Sequence, residues 1–90
     1  MGIYPDYNNI YGISIHYYDS NEDTILIYKK LFENMEEFLN NKEEIFQNIN
    51  KIDTNKDYNL LAYLEYSDTY GFGTSKTWFN IDVNFLVKYL

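Results

Sequence analysis

Carboxylates are the groups whose number and spacing bear most directly on chemistry in this chain. Glu36, Glu37, Glu43 and Glu44 form two pairs, and on one continuous helix matching members lie about 10 Å apart along the axis. Asp19, Glu22 and Asp23 crowd the polar run before them, and Glu33 continues the series. Rows of this kind can occupy lysines or arginines that would otherwise hold nucleic-acid phosphates; the plainer use is a solvated helix face. His16, the one histidine, could work with Glu65 or Asp82 as an acid–base pair. That chemistry needs hydrogen-bond reach and a cleft, and a solvated histidine on a strand is the commoner case. Gly71-Phe72-Gly73 lacks the helix and lysine that complete a phosphate loop. Without arginine the usual bidentate phosphate clamp is missing. Without cysteine, disulfides, thiol catalysis and zinc thiolate sites are excluded. The expectation is a protein that is not an enzyme and carries no cofactor.

One run approaches a metal-binding pattern. Asp53-Thr54-Asn55-Lys56-Asp57-Tyr58-Asn59 resembles the opening of an EF-hand calcium loop, with side-chain oxygens at alternate positions after a helix. The resemblance implies calcium held by Asp53, Asn55, Asp57 and the Asn59 carbonyl. Tyr58 stands where that loop needs glycine, and Leu64 stands where a bidentate glutamate closes it. A polar loop between helix and strand is therefore the expectation, with no metal. A second run, Asp19-x-Asn21-x-Asp23, reads as a turn.

Composition narrows the partners. The chain has 90 residues, enough for one domain (1–90), and its 46% hydrophobic and 23% charged content is that of a folded protein. Abundant Asn, Tyr and Ile suit AT-rich coding, but such coding favours lysine as much as acid. Seven lysines against fourteen acids, a formal charge of −7, is thus a separate signal. It opposes binding to nucleic acid or an anionic membrane and permits a basic partner. Eleven Tyr, six Phe and one Trp exceed what a small core buries, and exposed rings are the usual anchors of interfaces. Tyr70 and Phe72, on a glycine-flanked loop, are the expected exposed pair. Met1 to Asn9 has neither a basic start nor an apolar run, so the expected compartment is the cytoplasm.

These groups must be positioned by a few short elements. Residues 1–9 read as an irregular lead-in. From Ile10 to Tyr18, Tyr11, Ile13, Ile15 and Tyr17 alternate with Gly12, Ser14, His16 and Tyr18, the pattern of a half-buried strand. Thr24 to Leu31 is β-branched at its start and closes a hairpin; a helix beginning at Asp23 is the rival reading. Met35, Phe38, Leu39, Ile45, Phe46, Ile49 and Ile52 lay one apolar stripe along a helix from about Asn34 to Ile52. Asn34 and Glu37 supply its capping box, and Asn41 with Glu44 offers a second cap at a weak spot. Leu60 to Tyr66 and Trp78 to Phe85 read as two further strands. Leu86 to Leu90 either prolongs the last strand or forms a helical turn. The expected fold is α+β in the order ββαββ, a four-stranded, mainly antiparallel sheet with one helix across one face. The other face would carry Ser14, His16, Tyr63, Glu65, Trp78, Asn80 and Asp82.

In size, acidity and tyrosine content the chain resembles small phage-borne inhibitors, anti-CRISPR proteins and other DNA mimics among them, across its whole length and without a diagnostic motif. The resemblance implies a stoichiometric inhibitor acting in a bacterial host cell on a CRISPR effector or a nuclease. The residues expected to meet such a basic partner are Asp19, Glu22, Asp23, Glu36, Glu37, Glu43, Glu44, Tyr70 and Phe72. An immunity protein that neutralises a bacterial toxin is the alternative, because toxin nucleases are basic too.

Overall fold

In the computed structural model, residues 4–18, 24–52, 57–67 and 74–89 are described. Strands β1 (Tyr4–Pro5), β2 (Gly12–Tyr18) and β3 (Thr24–Leu31) lead into helices α1 (Met35–Asn40) and α2 (Lys42–Asn50). Strands β4 (Tyr58–Ser67) and β5 (Thr74–Asn80) and the short helix α3 (Val83–Val87) complete the chain. The fold is α+β with an antiparallel sheet in the order β3-β2-β4-β5; β1 joins the edge of β4 that β2 also uses. Residues 24–31 are strand, as their β-branched start requires.

The pleat sets the layers. Ile13 and Ile15 on β2 and Leu60, Ala62 and Leu64 on β4 point to one side and are buried. Phe38 of α1, Ile45 of α2 and Leu86 of α3 close over them in the same core. Phe38 of α1 ties the end of β3 to the turn after α3, meeting Phe32 edge-on at 5.7 Å and Tyr89 at 5.3 Å. Asn34 accepts the Glu37 amide at 2.9 Å, while the Glu37 carboxylate reaches back to the Glu33 amide at 2.8 Å. This is the expected capping box, displaced by one residue on its return arm.

Three expectations need correction. The apolar stripe does not run through one helix, because the chain breaks at Asn41, with φ −107° and ψ 4°. Asn41 does not cap α2 with its side chain. Its amide nitrogen donates to the Glu37 carbonyl at 2.8 Å and its oxygen accepts from Lys30 at 2.9 Å. The last strand stops at Asn80, and residues 83–85, expected to alternate as strand, are helical with Asp82 as cap; of the two readings left open for the residues after Phe85, the helical one holds for 86 and 87. Asp82 accepts the Asn84 amide at 2.9 Å and so leaves the sheet face on which it was expected. The lead-in is also more ordered than its proline and asparagines imply: beyond β1, the Asp6 and Tyr11 amides each donate to β4 carbonyls at 2.8 Å.

Phe38→Ala empties the space where three elements meet, and the expected loss is about 3–5 kcal/mol, read as a lower midpoint in urea unfolding.

Candidate functional site

The acidic ridge is carried by two short helices in place of one. Glu36 and Glu37 lie in the first turn of α1, and Glu43 and Glu44 in the first turn of α2. All four therefore sit at the positive end of a helix dipole, which is a sufficient structural reason for their type. Two of them also have local partners. Glu37 serves the capping box, and Glu44 faces Lys30 at 3.7 Å and accepts from the Tyr28 hydroxyl at 3.5 Å. Glu36 and Glu43 are exposed, and among the described residues they make no hydrogen bond or ion pair. The break at Asn41 puts the two pairs on two abutting helices. Asp19, Glu22, Asp23, Tyr70 and Phe72, the remainder of the expected site, lie outside the described residues.

The rings divide between the two sides of the sheet. Phe32 and Phe38 are buried, whereas Tyr7 and Tyr58 remain 46% and 39% exposed. The side opposite the helices carries Tyr63 and Trp78, as expected, and gathers Gly12, Lys29, Tyr11 and Lys76 around them. A Cβ on Gly12 would lie 3.0 Å from the Trp78 ring, 2.9 Å from Leu31 and 3.1 Å from the Tyr63 Cβ. The indole thus reaches from β5 across β4 to β2, and only a residue without a side chain leaves it room. Tyr63 and Trp78, direct cross-strand partners, have ring centres 5.0 Å apart, and the Lys29 ammonium lies 5.6 Å from the Trp78 ring. Beside them the Lys76 ammonium stands 4.2 Å from the Tyr11 ring. The Tyr11 hydroxyl donates to Glu65; that bond, then burial and the Glu65 and Asp6 charges, raise its pKa. Tyr11 was expected beside Ile13 and Ile15, but here its side chain meets Glu65 and Lys76, partners on the other face. The readable signal was the small pair Gly12 and Ser14 alternating along β2, which leaves a trough for a large neighbour.

The structure does not bring His16 and Glu65 together. His16 pairs with Asn59 across β2 and β4, and Glu65 lies about 20 Å further along β4 at ~3.3 Å per residue. Asp82 is engaged as the cap of α3. A shallow depression of about 280 Å³ opens between β4 and the β5–α3 corner, where Asn59, Asn80 and Asp82 supply its polar groups and no histidine or lysine lines it. Of the calcium-like run, Asp53 and Asn55 lie outside the described residues, Asp57 is exposed, and Asn59 belongs to β4. No helix among the described residues is long and apolar enough to cross a membrane. No protein family, curated protein or solved structure matches this chain.

Tyr28 has a pKa pushed up to about 12, by burial first and then by the Glu44 charge and hydrogen bond. The unfolded chain therefore loses its phenolic proton near pH 10, before the folded one does. The stability tied to this tyrosine is intact below about pH 10 and is lost as pH rises toward 12. Tyr28→Phe is expected to flatten the fall of the melting temperature across that window. Gly12→Ala forces Trp78, Leu31 or the backbone at Tyr63 to shift, and an expected cost of about 1–3 kcal/mol is measurable by urea unfolding.

Proposed function

We propose that this protein is a stoichiometric inhibitor that binds a basic, nucleic-acid-handling protein, a CRISPR effector or a nuclease, and blocks its nucleic-acid site. The observation that carries this reading is the pair of exposed, unengaged carboxylates Glu36 and Glu43 on the helical side of a chain with a charge of −7. Carboxylates that already serve a cap or an ion pair would have to give up that partner before meeting another cation; these two do not. Glu37 and Glu44 flank them and add to the local negative potential without leaving their own partners. Exposed Tyr58 and Tyr7 supply ring surface of the kind that anchors interfaces. An immunity protein against a basic toxin nuclease is the second form of the same idea, differing in the target and not in the surface.

A competition assay decides the matter: labelled DNA or RNA is displaced from the basic target by added protein at various salt concentrations. The expected result is displacement at a one-to-one ratio that weakens steeply with salt. Glu36→Lys with Glu43→Lys should weaken displacement about tenfold or more, while the lost helix-dipole contacts lower stability by only about 1–2 kcal/mol and leave the protein folded. Inhibition that ignores both salt and the two reversals would remove this surface from the mechanism.

A further inference from the structure

The sheet ends on one side at β3, which pairs only with β2 among the described residues. Half of its exposed residues are apolar. Ile25, Leu26 and Leu31 are 39%, 59% and 58% exposed, whereas β5, on the opposite side of the sheet, exposes Thr74, Ser75 and Lys76 at its start. Edge strands are commonly guarded by lysines that discourage pairing. Here both lysines of β3 are turned onto their own subunit, Lys30 toward Asn41 and Glu44 and Lys29 over Trp78. The eight residues of β3, TILIYKKL, contain no carboxylate, so no acidic side chains of the strand oppose each other when two copies of it pair.

The bulge in β3 selects a partner strand. Pairing with β2 shifts register between Ile15 and His16, so that Tyr28 faces Ile15, Leu26 faces His16 and Ile27 is the extra residue. Thr24 and Leu26 therefore share the open side with Lys29 and Leu31, while Ile25 shares the helical side with Tyr28 and Lys30. Two antiparallel copies of β3 can bring same-side residues opposite each other along its whole length. That register sets Thr24 against Leu31, Ile25 against Lys30, Leu26 against Lys29 and Ile27 against Tyr28. We propose that β3 is the interface of a two-fold dimer in this register, joining two four-stranded sheets into one. It covers the exposed Leu26 with the aliphatic stem of Lys29 and extends the apolar surface that Leu31 shares with Trp78. This inference stands apart from the inhibitor reading, because it uses neither Glu36 nor Glu43.

Light scattering behind a sizing column, from about 10 µM to about 1 mM, spans the range in which modest interfaces assemble. The expected mass rises from 10.9 kDa to twice that value. Leu26→Lys sets ammonium groups against Lys29 at two symmetric places and should weaken the dimer about tenfold, whereas Leu26→Glu should hold it as tightly as the parent. Leu26 is exposed, so neither change threatens the fold, and circular dichroism checks this. The chain lacks cysteine, so oxidising a mixture of the single variants Leu26→Cys and Lys29→Cys gives an independent reading. A covalent 26–29 heterodimer is expected. Leu26→Cys alone should not cross-link, because its two copies lie about 10 Å apart in this register. A monomer at every concentration overturns the proposal. So does a dimer that Leu26→Lys leaves intact, equal weakening by both Leu26 variants, or cross-linking of Leu26→Cys with itself.

Discussion

Strand β4 is the constraint from which the rest of the molecule follows. It is paired with β1 and β2 along one edge and with β5 along the other, so its backbone polar groups are satisfied and its side chains can be apolar. Its inward residues Leu60, Ala62 and Leu64 are essentially without solvent. A strand buried in this way needs a lid, and three short helices supply it, each with one fully buried anchor: Phe38, Ile45 and Leu86. Ala62 at the centre is small, which lets rings and branched side chains close over the middle of the sheet without a void.

The sheet was legible from three different signals. A two-residue period marks β2, the β-branched start of residues 24–31 and the polar turn before it close the hairpin, and the run of large apolar groups at residues 60–66 marks an interior strand. Helix continuity was harder to read. The stripe from Met35 to Ile49 stays in register across Asn41, and hydrophobic spacing alone does not distinguish one helix from two that abut. What breaks the chain there is polar: Asn41 bonds to the Glu37 carbonyl and to Lys30, a partner far away in sequence. The end of β5 was hidden for a related reason. Phe79, Ile81, Val83 and Phe85 alternate as a strand does, yet a short polar side chain at Asp82 begins a helix and overrides the alternation. Tyr11 departed from its expected side because β2 begins only at Gly12, and the preceding residues run along β4 on terms of their own.

The carboxylates show how one residue type answers two demands. Placed at helix starts, Glu36, Glu37, Glu43 and Glu44 stabilise short helices that would be marginal alone. The same placement leaves half of them facing water with no assignment inside the fold. Sequence spacing marked all four alike, and only their neighbours separate those with internal partners from those free to meet another molecule. On the sheet's other side, lysines and rings are matched with one another, so the two faces of this protein offer different chemistry.

The trough at Gly12 has an optical consequence. The chain's one tryptophan rests on the side of the sheet away from the helices, and among the described residues the buried rings are those of Phe32 and Phe38. Indole fluorescence is thus a built-in reporter of that side alone. It will register anything that settles on Trp78 or disturbs Lys29 above it, and it will stay largely dark to events among the helices.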